Sequence, residues 1–126
     1  MTTLLDASAL VAVERTDRSV VAFLAAERLA GRVALTHGGV VGQVWRSGSG
    51  RHAHLARLLA WAQIAALGDG LGRRAGVLLG LTGTSDVIDA ALVLLARDGD
   101  TILTSDPDDL ALLAAATGVD VEILRV

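Results

Sequence analysis

The stretch Asp86-Val87-Ile88-Asp89-Ala90-Ala91-Leu92-Val93-Leu94-Leu95-Ala96-Arg97-Asp98-Gly99-Asp100-Thr101-Ile102-Leu103-Thr104-Ser105-Asp106 decides the fold class. Its first half is apolar on every side at helical spacing and predicts a helix over 85–97. A polar turn follows, and the short apolar run at 101–104 reads as a strand. Outward from this unit the same alternation repeats in both directions. Strands are expected at 2–5, 32–36, 63–67, 101–104 and 121–124. Helices are expected at 7–14, 18–31, 39–46, 52–60, near 71–79, at 85–97 and at 108–116. Alternating strands and helices predict an α/β chain, a three-layer α/β/α arrangement with about five parallel strands and helices on both faces. Ligands of such sheets bind outside the carboxyl ends of the strands, so residues just after strands matter most.

Asp6 follows the strand Leu4-Leu5, and Asp106 follows Thr101–Thr104. Each also reads as a helix N-cap, because an acid there accepts orphan backbone N–H groups. For Asp106 the cap is well formed in sequence, with Pro107 at the first helical position and Asp109 at the third. Asp89 is harder to explain structurally. It sits among apolar neighbours, and burying an unpaired carboxylate costs several kcal/mol unless a metal, an arginine or a helix N-terminus compensates. Asp86 lies one turn earlier, where a first-turn charge explains it, although the pair can share a face at i and i+3. Ser8 and Thr104, beside Asp6 and Asp106, either support the acids or are plain polar residues at element ends. Several carboxylates with no cysteine and no histidine among them specify a hard cation, Mg²⁺ or Mn²⁺. Such an ion lowers the pKa of a bound water and neutralises charge on phosphorus, which suits phosphodiester hydrolysis.

Composition narrows the class. At 126 residues, 52% of them apolar, the chain is expected to form one packed domain over 1–126. No apolar run reaches the length of a membrane span, no basic n-region opens the chain, and a cytoplasmic location is expected. There are no cysteines, which removes disulfides, thiolate zinc sites and cysteine nucleophiles. All 11 basic residues are arginine. A phosphate-binding loop with its lysine is thereby excluded, and a lysine-dependent receiver domain is disfavoured. Between His37 and Gly83 five arginines face one acid, Asp69, for a net +4; elsewhere six arginines stand against thirteen acids, a net −7. That asymmetry suggests a basic rim around an acidic centre, or ordinary solvated helix faces.

Leu4-Leu5-Asp6-Ala7-Ser8-Ala9-Leu10 resembles the opening of a PIN domain. Asp89–Ala96 resembles its central acidic helix, and Thr104-Ser105-Asp106-Pro107-Asp108-Asp109-Leu110 is similar to its closing motif. The resemblance, to the PIN-domain ribonucleases that act as VapC-type toxins of bacterial toxin–antitoxin pairs, spans nearly the whole chain. It implies an Mg²⁺- or Mn²⁺-dependent endoribonuclease, a homodimer and inhibition by a small antitoxin. It places metal roles on Asp6, Asp89 and Asp106, with Asp109 nearby. There is one departure: the family usually carries a glutamate where this chain has Gln43. An amide oxygen can bind a cation or its water, but it brings no charge and cannot act as a base.

Three readings follow. In the first, Asp6, Asp89 and Asp106 hold the metal, Gln43 assists, and Arg46, Arg51, Arg73 or Arg74 hold RNA phosphates. In the second, loss of the glutamate leaves a catalytically weak module that binds RNA or an antitoxin. In the third, the chain is a flavodoxin-like sensor of a small ligand. Gly68–Gly76 does not complete a dinucleotide loop. His37, His52 and His54 lack metal spacing with the acids. His52 and His54 read as solvated helix residues or as flanks of an RNA path. With two tryptophans and one phenylalanine, no stacking platform for single strands is expected.

Overall fold

A computed structural model of the protein describes residues 1–46 and 52–126. Arg51, expected to hold phosphate, lies outside them. Five parallel strands form one sheet: β1 (Thr2–Leu5), β2 (Val33–His37), β3 (Gln63–Ala65), β4 (Thr101–Thr104) and β5 (Glu122–Arg125), in the order β3-β2-β1-β4-β5. The helices are α1 (Ala7–Glu14), α2 (Arg18–Leu29), α3 (Gly38–Val44), α4 (Ala53–Trp61), α5 (Asp69–Thr82), α6 (Val87–Leu95) and α7 (Pro107–Thr117). The expected three-layer α/β/α architecture is what forms. This strand order differs from the 2-1-3-4-5 order of flavodoxin-like sheets, which removes the sensor reading's fold.

Successive strand residues point to opposite faces, and the two cores divide accordingly. Leu4 and Ile102 pack with Leu71, Leu78, Leu92 and Leu110 from α5, α6 and α7. Leu5 and Leu103 pack with Leu10, Leu24, Val40 and Leu55 from α1 to α4. α6 is the most enclosed helix, with Ala90, Ala91, Leu92 and Val93 all buried. The apolar run that decided the class is therefore a core helix. No single helix among the described residues is long and apolar enough to cross a membrane.

α1 has the expected bounds and α2 the expected start; the other helix ends deviate by one to three residues. α5 begins at Asp69, earlier than expected, and runs on to Thr82, where Gly83 at φ +67° caps it. α6 starts at Val87 because Asp86 caps it, its Oδ1 accepting the Asp89 N–H at 3.0 Å. β2 begins and ends one residue later than expected, which brings His37 into the sheet.

The chain reverses its winding between β1 and β4, the topological switch point where open α/β sheets bind ligands. Asp6 and Asp106 leave the sheet from these two neighbouring strands. Truncating the core beneath them, Leu92→Ala, is expected to cost about 2–5 kcal/mol, as for other fully buried leucines. Urea unfolding checks this; a cost below about 1 kcal/mol would mean that α6 is not clamped between sheet and helices.

Candidate functional site

Asp6 is 6% exposed at the N-cap of α1, and its carboxylate accepts three hydrogen bonds. Oδ1 takes the Ala9 N–H at 2.9 Å and the Ser8 hydroxyl at 2.5 Å, while Oδ2 takes the Thr104 hydroxyl at 2.5 Å. The cap anticipated in the sequence exists, yet it uses only part of the group. A carboxylate offers about four lone-pair sites, so among the described residues one on Oδ2 is left unused.

Ser8 and Thr104 do more than border the acids. Thr104 Oγ1 accepts the Asp106 N–H at 2.9 Å, and Ser8 Oγ accepts the Ser105 N–H at 2.8 Å. The two hydroxyls thus join the end of β1 to the end of β4 and fix the backbone of Asp106 against the Asp6 carboxylate. Asp106 occupies the N-cap position of α7, but its side chain makes no capping bond. Its carboxylate is exposed and available, so the sequence pattern of a capping acid does not account for it.

Asp89 stands half-buried in the first turn of α6. It shares a cavity of about 320 Å³ with Asp86, Asp109, Thr84 and Ser85, between the starts of α6 and α7. Burial first, then the carboxylates of Asp86, Asp6, Asp106 and Asp109, push its carboxyl from the usual 3.8 up to about 7. Five acids therefore act in one electrostatic field. They fall into two groups, Asp6 with Asp106 across Thr104, and Asp89 with Asp86 and Asp109 around the cavity. Asp86 and Asp109, minor in the sequence reading, line the cavity that Asp89 enters. Among the described residues, no three carboxylate or histidine groups stand close enough to form a ready-made metal shell.

Gln43 is exposed on α3 and does not line this cavity. Of the expected phosphate-binding arginines, Arg46 donates to the carbonyls of Gly42 and Trp45, and Arg73 pairs with Asp69 at 2.9 Å on an exposed face of α5. Arg74 is exposed on the same helix. Arg125, unmarked in the sequence, lies closer to the acids: its Nη1 donates to the Ser105 carbonyl at 3.1 Å, next to Asp106. His52 is buried rather than solvated. It accepts the Arg46 N–H at 3.0 Å, faces Glu14 at 3.3 Å and stacks on Trp45, which makes it structural. Away from the acids, Val13, Val21, Leu24, Leu29, Leu58 and Trp61 line an apolar groove of about 720 Å³ between α1, α2 and α4, flanked by Arg28 and Arg57.

A carboxyl whose folded-state pKa lies above its unfolded value binds protons more readily when folded. Its favourable contribution to stability is present in acid and is lost as pH rises from 3.8 through about 7. In chelator, Asp89→Asn is therefore expected to be more stable than the parent at pH 8, the gap closing by pH 4. Urea midpoints across that range check it; a gap independent of pH would detach Asp89 from the acidic field.

No family model matches the chain, and no curated protein matches it. Among solved structures, a chain of VapBC2 from Rickettsia felis, crystallised bound to a DNA fragment from their promoter, superposes with a TM-score of 0.71. The match covers 98% of this chain and 99% of that chain at 13% sequence identity. At that identity the likeness is one of fold, and it gives this chain a PIN-like α/β/α architecture.

Proposed function

We propose that the protein is a metal-dependent endoribonuclease, the toxin of a toxin–antitoxin pair. The observation that carries this is Asp89, a carboxyl raised to about 7 first by its burial and then by four other acids gathered around the strand ends and helix starts of a PIN-like sheet. Such a cluster is unfavourable without a compensating positive charge, and the cheapest compensation is a cation. The donors fit Mg²⁺ or Mn²⁺. They are all oxygens, and Mg²⁺ keeps several waters and binds through one or two carboxylates plus substrate phosphate, so a closed protein shell is not required. Asp89 and the free lone pair of Asp6 Oδ2 would hold the ion, with Asp106, Asp86 and Asp109 accepting hydrogen bonds from its waters. When bound, the ion activates water and neutralises charge on the phosphate.

The chain's own residues supply the rest. Ser8 and Thr104 keep the Asp6 carboxylate from rotating. Asp89 holds a proton near neutral pH and gives it up as the cation binds, so metal affinity is expected to fall as pH drops below about 7. Arg125 beside Asp106 offers a phosphate contact, with Arg74, Arg73 and Arg46 further along the RNA. A homodimer and a small antitoxin complete the proposal. The antitoxin reading is supported by the fold shared with a chain of a VapBC assembly and by the apolar groove with its two arginines, which suits an amphipathic segment bearing acids.

A catalytically weak binding module is the second reading. Gln43 favours it, since the amide stands where the family usually has an acid. One assay separates the two: cleavage of one RNA by the parent, Gln43→Glu and Asp6→Asn, each with Mg²⁺, Mn²⁺ and chelator. The nuclease reading expects metal-dependent cutting by the parent, lost by at least about 100-fold in Asp6→Asn and raised in Gln43→Glu. No cutting by either the parent or Gln43→Glu would leave only the binding module.

A further inference from the structure

His37 is wholly buried at the end of β2 and takes no part in the chemistry above. Its Nδ1 accepts the Gly39 N–H at 3.1 Å, so the ring proton resides on Nε2. Nε2–H then donates to the Ile88 carbonyl at 2.9 Å, 51 residues further along the chain. One imidazole therefore caps α3 and grips the first turn of α6. Capping alone does not call for histidine, because Ser, Asn or Asp would cap α3 as well. None of those reaches a second element with a donor.

The approach of the two helices is also specified at Gly39. A Cβ there would lie 2.6 Å from Ile88 Cδ1 and 2.9 Å from His37 Cε1. A side chain at 39 would have to turn the Ile88 δ-methyl aside and would press on the His37 ring, which its two hydrogen bonds hold in place. The Ile88 carbonyl belongs to the peptide unit that leads into Asp89, and that peptide's N–H is held on its other side by Asp86 Oδ1 at 3.0 Å. The Ile88–Asp89 peptide is thus pinned at its oxygen by His37 and at its nitrogen by Asp86.

We propose that His37 is a positioning residue for the acidic centre, setting through the Ile88 carbonyl where the Asp89 carboxylate stands relative to Asp86 and Asp109. The consequence for metal and RNA rests on the nuclease reading; the consequence for α6 does not.

Two replacements of the ring separate its two bonds. His37→Asn keeps an acceptor close to the backbone for Gly39 and loses the reach to Ile88. His37→Gln places an amide donor near the position of Nε2 and keeps the Ile88 bond. Gly39→Ala, a third variant, retains the histidine and crowds Ile88. Amide hydrogen exchange of the first turn of α6 is measured on metal-free protein, followed by Mn²⁺ affinity, and kcat and KM on one RNA. Exchange at Asp89 and Ala90 is expected to quicken about 3- to 10-fold in His37→Asn and Gly39→Ala, the worth of one buried hydrogen bond. In the same two variants Mn²⁺ affinity and kcat should fall while KM for RNA is unchanged, and His37→Gln should stay near the parent. Equal exchange in His37→Asn and His37→Gln would overturn the proposal and leave a simple cap. So would unchanged exchange in Gly39→Ala, which decides the matter if His37→Asn does not fold. A parent that neither binds Mn²⁺ nor cuts RNA would sink the nuclease reading, while the exchange data would still decide what His37 does.

Discussion

Asp6 and Thr104 are 98 residues apart in sequence and share a hydrogen bond in a buried setting at the ends of two adjacent strands. A carboxylate that is 6% exposed has to be satisfied from within the protein, and here it is, by one backbone N–H and two hydroxyls. Because both hydroxyls also accept backbone N–H groups from the β4–α7 turn, the acid and the turn hold each other in place. The switch point of the sheet brings these strand ends together, and the acid uses that proximity. The positions of Asp106 and of the start of α7 follow from this bond. So does one wall of the field that acts on Asp89.

That field has a cost that the fold itself does not remove. Asp89 is charged against its neighbours above about pH 7, where partial burial first and then four carboxylates disfavour its ionised form. Structural acids in this chain behave differently. Asp100 is more deeply buried than Asp89, but its two oxygens accept the Thr2 and Arg97 N–H groups, and Asp17 caps α2. Asp89 receives no such bond among the described residues. A carboxyl held in this state resembles the perturbed groups that gather at functional sites, where ligand binding supplies what folding leaves out. Positioning it takes effort elsewhere, through Asp86 on the peptide nitrogen and His37 on the oxygen.

The fold was legible in the sequence because periodicity and turn residues agree over nearly every element. The alternation of 85–97 with 101–104 gave α6 and β4 and thereby the parallel sheet. Asp89 announced itself as an acid in an apolar helix, and Asp6 and Asp106 as acids at strand ends. Less visible was the grouping of the acids. Asp86 and Asp109 read as first-turn charges, and nothing local shows that α6 and α7 begin side by side and enclose a cavity with Asp89. His37 was opaque for the same reason: its partner carbonyl is a backbone atom far along the chain, and backbone atoms leave no mark in the sequence. His52 read as solvated because its partners Glu14 and Trp45 lie on other elements. Arg125 gains its significance only from the neighbouring strand's Ser105.

The account stands on Asp89 and Asp6, within the field of the five acids, taking a divalent cation between them. The most direct measurement is anomalous diffraction from a crystal of the protein grown with Mn²⁺. An anomalous peak within coordination distance of Asp89 and facing Asp6 Oδ2, at ligand distances of roughly 2.1–2.2 Å, is the predicted result. Manganese bound elsewhere, or no peak at the acids under saturating Mn²⁺ at pH 8, would contradict it.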